Sequence, residues 1–483
     1  WRHRSGIDHR QGQVERADSM LQTYLDLAQS ASPTRPKLLY YNRLCESLIN
    51  LGRLEEAYQH NVVILEEASE EEHPKEVGKL QQNLAKTYLL WGRYDLGDSL
   101  YIHLISSQQA RDDKRAMVVS LTNRARLLER RGDLQKAGDM YQSALEINRE
   151  MNRPRGVVIN GNNLGVLLRK QGQNTAALKL HRELLSQAEQ INFPLAVGYQ
   201  HLNIGINSAY LGQKEQALKA YQTAVKQFES VNASYEVGDT YLYLGDMYWR
   251  AQEYSTAKRY YQDALAALPK GKGGEYHCSA WLKLARLLIS TGESEAALEA
   301  CQQSLFYAAP GFAERDPLVH PTLEQIQMEL DGIDALMRKG QLLWQKTDSV
   351  SRQSAYHSYQ LAHDLILDLL AEYQTSTSQS ELLEDYQAVL AGLIGCQHHY
   401  FAQSGEAKWL NLIWETMESN KATRLRALLR QAQHPIRGQL PDDLYDLQQE
   451  IYQKTHYQTQ RLEVPDQAVA ARQKLVFLRN QQD

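Results

Sequence analysis

Cys396, His398 and His399 come nearest to a nucleophilic arrangement, because a thiol needs an imidazole as base and Cys396 and His399 share a helix face at three-residue spacing. A small buried thiol beside an exposed His is the plainer reading of that pair, and we adopt it. The other cysteines, Cys45, Cys278 and Cys301, are scattered without a CxxC pair, so neither a zinc knuckle nor a disulfide framework is expected. No phosphate-cradling Gly-Lys loop, dinucleotide Gly pattern, zinc-protease helix or calcium loop occurs, and carboxylate pairs such as Glu55-Glu56 fall at ordinary helix starts. The expectation is a non-catalytic chain with no cofactor and no metal.

Side-chain amides offer a different chemistry. Asn83, Asn123, Asn163 and Asn203 follow one another at forty-residue intervals, between Arg43 before them and Tyr243 and Lys283 after them. An amide both donates and accepts, so a row of them can hold the backbone of an extended peptide whatever its side chains. Three residues further along the same helical stripe stand Lys86, Arg126 and Arg286, and beyond them Arg130, Lys170, Tyr210 and Arg250. The candidate partner-binding set is therefore Asn83, Lys86, Asn123, Arg126, Arg130, Asn163, Lys170, Asn203, Tyr210 and Tyr243. The alternative is that the amides order neighbouring helices through backbone groups and that the charges are merely solvated.

The elements that position this row are written in an internal repeat. A Gly followed five residues later by Ala recurs every forty residues: Gly12 and Ala17, Gly52 and Ala57, Gly92 with Gly97, Gly132 and Ala137, Gly172 and Ala177, Gly212 and Ala217, Gln252 and Ala257, Gly292 and Ala297. Leu44, Leu84, Leu164, Ile204, Leu244 and Leu284 form an apolar column eight residues before the marker, with Arg124 as its exception. The next column, Cys45, Ala85, Ala125, Gly165, Gly205, Gly245 and Ala285, holds only small side chains, as close helix approach requires. Nine residues after the marker stand Leu21, Asn61, Tyr101, Tyr141, His181, Tyr221, Tyr261 and Cys301, expected to fill the space between successive pairs. Pro74, Pro154 and Pro194 sit where a first helical turn tolerates a missing N–H. Each unit is thus two helices of about seventeen residues joined by a Gly-containing turn. Stacked units share a continuous core and coil into a superhelix with a concave groove.

These residues resemble the tetratricopeptide repeat: Tyr41, Tyr241 and Trp281 at the first large position, then Leu, a small residue, Gly, Ala, Tyr and often Ala (Ala144, Ala224, Ala264). The resemblance covers residues 1–308 and implies an all-α, right-handed superhelical solenoid of about eight repeats, a fold that serves many functions. Beyond residue 308, Ala309-Pro310-Gly311, Pro317 and Pro321 break the register, while apolar spacing over 323–347, 352–373, 379–403 and 406–432 predicts two irregular helical pairs capping the solenoid over 309–434. Residues 435–483 read as a C-terminal helical hairpin or linker. A second resemblance lies at Trp414 to Leu425, where Glu418, Lys421, Ala422, Leu425, Leu428 and Leu429 are similar to the segment that precedes the catalytic part of CHAT-type caspase-like proteases. The 49 residues from Pro435 to Asp483 are too few for such a domain, which needs more than about 100.

Charge narrows the partners. With 53 Lys and Arg against 58 Asp and Glu over 483 residues, the chain is no globally basic nucleic-acid coat. Residues 123–182 nevertheless hold twelve basic and five acidic side chains, whereas residues 55–76 hold eight Glu and one Lys. An acidic or carboxylate-ended peptide suits the centre of the solenoid, and nucleic acid is disfavoured by the sparse aromatic interleaving. No apolar run approaches the roughly 20 residues of a membrane span. The expectation is a cytoplasmic, bacterial regulatory scaffold whose groove takes a protein or peptide and controls an attached caspase-like protease. The alternative is a free-standing receptor or assembly scaffold.

Overall fold

The computed structural model describes residues 35–431 except 51–52, 270–273, 310, 327 and 373–375, together with 22–24 and 26–27. The markers Gly12, Ala17 and Gly52, residue Leu21 and the predicted hairpin 435–483 lie outside the described residues. Two compact units, 1–396 and 397–483, divide the chain.

The first unit is a succession of antiparallel helix pairs, with no strand among the described residues. They are α1 (Arg35–Asn50) with α2 (Leu54–Glu67), α3 (Pro74–Leu90) with α4 (Tyr94–Ala110), α5 (Lys114–Arg131) with α6 (Leu134–Glu150), and α7 (Pro154–Lys170) with α8 (Asn174–Gln190). Next come α9 (Pro194–Tyr210) with α10 (Lys214–Ser230), α11 (Ser234–Arg250) with α12 (Tyr254–Ala267), α13 (Glu275–Ser290) with α14 (Ser294–Ala308), and α15 (Glu329–Trp344) with α16 (Ser349–Glu372). The next helix, α17 (Ser376–Ser404), packs Tyr386, Val389 and Leu390 against Leu365, Ile366 and Leu369 of α16. In the second unit Gln397 bonds to Thr416 of α18 (Ala407–Gln431) at 3.2 Å and Tyr400 stacks on Trp409.

Turn chemistry sets the metre. Gly92, Gly132, Gly172, Gly212 and Gly292 have φ between +70° and +89°, where a Cβ is disfavoured, and Gln252 takes the same conformation at +60°. The connections between hairpins repeat this device with Asp112, Asn152, Asn192 and Asn232, residues that tolerate the left-handed region. In each case the next N–H reaches back five residues, as in Asp113 to the Gln108 carbonyl and Gln213 to the Ser208 carbonyl, both at 2.9 Å. Both kinds of turn are therefore two or three residues long, and helices from Leu54 to Tyr254 start twenty residues apart. Proline at the first position opens α3, α7 and α9.

Packing follows the columns. The marker alanines Ala57, Ala137, Ala177, Ala217, Ala257 and Ala297 are fully buried, as are Tyr101 and His181, while Tyr141, Tyr221 and Tyr261 are nearly so. These large groups fill a socket inside their own hairpin and also meet the next one: Tyr101 shares a core cluster with Leu127 of α5 and Tyr141 with Leu167 of α7, and His181 bonds to Gln200 of α9. A Cβ on Gly205 would stand 2.6 Å from Tyr221, one on Gly245 2.4 Å from Tyr261, and one on Gly165 2.5 Å from His181. Arg124, the exception in the apolar column, is neutralised by Asp98 of α4 at 2.7 Å. The register break after α14 leaves the packing continuous, because α15 lies against both α13 and α14.

Candidate functional site: the first-helix face

First helices touch the first helices of neighbouring hairpins: α1 meets α3, α3 meets α5, α7 meets α9, α9 meets α11, α11 meets α13 and α13 meets α15. Second helices do not approach each other to that extent, so the first helices line the tighter, inner side of the stack. The side chains left uncovered there follow helical spacing. They are Lys75, Lys79, Asn83, Lys86 and Leu90 on α3; Arg115, Val119, Asn123, Arg126 and Arg130 on α5; and Arg155, Ile159, Asn163, Val166 and Lys170 on α7, all exposed or half-buried. Eight of these fifteen are cationic and none is acidic. The corresponding runs turn apolar and aromatic on α9 (Leu195, Tyr199, Asn203, Ile206, Tyr210) and carry acid on α11 (Tyr235, Asp239, Tyr243, Asp246, Arg250).

Each anticipated residue can now be placed. Asn83 is half-buried and donates its amide to the Asn42 carbonyl of α1 at 3.3 Å. Asn123 and Asn163 are half-buried, with no side-chain hydrogen bond among the described residues. Asn203 departs from the expectation: it is buried at 6% exposure and donates to Asn162 Oδ1 and the Tyr199 carbonyl, both at 3.0 Å. It belongs to a polar network in which Gln200 joins Asn162 to His181. Tight approach of α7 and α9 closes over that position, so the amide row does not run on to α9.

The cations also sort by partner. Lys170 is held by Glu129 at 2.6 Å, and Glu129 also accepts the Tyr141 hydroxyl at 3.1 Å. Lys86 donates to Asn50 Oδ1 at 3.4 Å, and burial, with Arg126 close by, pushes its ammonium down to about 8. Arg126 has no ion pair among the described residues, and Arg130 is exposed. Tyr210 is half exposed beneath the Arg250 guanidinium, 4.8 Å from its ring centre. Tyr243 lines a recess of about 270 Å³ with Asp239, Asp246 and Glu275, and Lys283 reaches Asp246 there at 2.7 Å. Arg286 is engaged by Asp334 of α15 at 2.9 Å.

Sequence reasoning missed two features of this face. Lys75, Arg115 and Arg155 stand at forty-residue spacing near the start of successive first helices, a signal as regular as the amides. The acids that neutralise the far end, Asp246 and Asp334, carry no such period. Cys396 is buried and its thiol is pushed up to about 12, so it stays protonated at neutral pH. No described helix is long and apolar enough to cross a membrane.

Residues 162–191, 199–270 and 244–311 each match the tetratricopeptide repeat family. Residues 162–191 and 199–311 are tetratricopeptide repeats. No curated protein matches the chain. Among solved structures, the apo form of RapI is similar at 17% identity over 73% of this chain and 92% of its own, with a TM-score of 0.46. BtubC from P. vanneervenii is 19% identical over 46% of this chain and 91% of its own, with a TM-score of 0.40. A Rap protein complexed with competence and sporulation factor is 13% identical over 76% and 99%, with a TM-score of 0.42.

Proposed function

We propose that the chain is a non-catalytic scaffold whose inner face, over α3, α5 and α7, binds an extended acidic segment of a protein partner. The observation that carries this reading is the run of eight cations at the uncovered positions of three consecutive first helices, where half-buried Glu129 is already engaged by Lys170. Like charges gathered on a concave, low-dielectric wall attract and orient an anionic chain. Half-buried Asn123 and Asn163 add donors and acceptors for its backbone. Four buried, unpaired thiols suit a reducing compartment and support placement in the cytoplasm.

Fluorescence anisotropy with a labelled peptide of alternating Glu and Val tests the reading. The chain binds it, affinity falls with salt, and the R126A/R130A pair weakens it by about tenfold or more. Affinity unchanged by that pair rejects this face.

A second reading is regulation of an attached caspase-like protease, which the notable string on α18 favours through one feature: Leu410, Trp414 and Met417 are exposed at helical spacing on that helix. Side chains of Lys421, Ala422, Leu425, Leu428 and Leu429 lie outside the described residues. A natural coding sequence that continues into a domain with a His and Cys dyad supports this reading, and a stop codon after Asp483 removes it.

A further inference from the structure

At the N-terminal end of the cationic face, a recess of about 350 Å³ opens between α3 and α5, with Lys75 and Lys79 on one lip and Arg115 and Val119 on the other. That volume equals about ten waters, enough for a carboxylate side chain with its peptide unit. Lys75, Lys79 and Arg115 are exposed, and none forms an ion pair among the described residues. The two acids of the wall are engaged: Glu76 by Arg35 at 2.7 Å, and Asp113 by the Ala116 N–H that it caps at 3.1 Å. Gln108, on α4 behind the lips, lines the same recess at 2% exposure, and its Oε1 has no hydrogen-bond partner. A buried amide oxygen without a donor is costly, and a ligand N–H reaching Gln108 from the recess would relieve that cost.

We infer that this recess is the anchoring subsite for one Asp or Glu residue of the bound segment, its carboxylate meeting Lys75, Lys79 and Arg115 while a backbone N–H is received by Gln108. The demand for a donor beside an anion separates a peptide from a nucleic-acid backbone, whose phosphates bring acceptors only. This rests on the reading of the inner face given above, and it adds a specific anchor outside the amide row.

The test uses the full chain and the labelled Glu-Val peptide, with far-UV circular dichroism on every variant. The exposed pair K79A/R115A weakens binding by about tenfold, and Q108E, nearly isosteric but anionic, weakens it at least as much. Q108M, which keeps the volume and removes the acceptor, weakens it by a smaller factor. If R126A/R130A weakens binding while K79A/R115A, Q108E and Q108M do not, the subsite is overturned and the inner-face reading stands. If only the recess variants weaken it, the subsite stands and the wider face falls. Labelled oligothymidine bound as tightly, with the same dependence on Gln108, overturns the choice of an acidic protein segment.

Discussion

His181 occupies the column that Tyr141, Tyr221 and Tyr261 fill in neighbouring repeats, and it is fully buried against Gly165 with Nδ1 at 2.8 Å from Gln200 Oε1. Burial, reinforced by nearby Arg169 and only partly opposed by the Gln200 bond, pushes the imidazole down to about 4. The unfolded chain takes up this proton near pH 6.5 and the folded one near 4. Between those values the unfolded state holds more protons, so stability falls as pH falls through the window, by on the order of 3 kcal/mol in total. H181Y replaces the group by the column's usual residue over the same glycine socket. Urea unfolding at pH 7 and pH 4.5 is expected to show a clearly smaller loss in H181Y than in the parent chain, and equal losses dismiss His181 as the acid-sensitive group. Lys86 titrates in the opposite sense for binding: as pH rises past about 8 the inner face loses one positive charge, while the folded chain is relieved of a poorly hydrated ammonium.

At the scale of the helix, the turns decide register. Every described hairpin turn of the regular array needs one left-handed residue, and Gln252 at φ +60° is where a side chain stands in place of Gly. A Cβ in that conformation costs more than the extra chain entropy of Gly, so Q252G is expected to stabilise by about 0.5–1 kcal/mol. A shift of the urea midpoint to higher concentration without change in m checks it, and a lower midpoint contradicts it. The Gly marker was legible in the sequence because only one residue type satisfies that backbone so readily. Asp112, Asn152, Asn192 and Asn232 carry the same information less visibly, since Asn and Asp also serve as caps and solvated surface. Helix limits were equally legible: Pro74, Pro154 and Pro194 open α3, α7 and α9, as a missing N–H at the first position demands.

For the molecule as a whole, each hairpin of the regular array packs chiefly on its neighbours in sequence, so length is a variable and the forty-residue period is not. Duplicating residues 194–233 inserts another α9 and α10 with every column in register. The lengthened chain is expected to unfold cooperatively, with unchanged helicity per residue and a larger m-value. Duplicating 194–213 alone places a first helix where a second must pack, setting Gly205 opposite a face built to receive Tyr221, and that chain is expected to lose cooperativity. Circular dichroism with urea titration distinguishes the two, and equal behaviour would refute the division of labour between first and second helices.

The all-helical class, the forty-residue metre, the small and large columns and the order of helices were determined by the sequence alone, because each rests on a steric rule that admits few residue types at a fixed spacing. Which uncovered side chains are available to a partner was decided only by the tertiary structure. Asn203 and Asn83 carry the same amide in the same column, yet the first is sealed in a network with Asn162 while the second reaches back to α1 and remains half-buried. Lys170 and Arg126 share a sign, yet one has Glu129 at 2.6 Å and the other has no ion pair among the described residues. Hydrogen bonds and ion pairs act over a few ångströms between residues about forty apart, and a repeat written in sequence does not reveal whether a neighbour stands close enough to occupy the group.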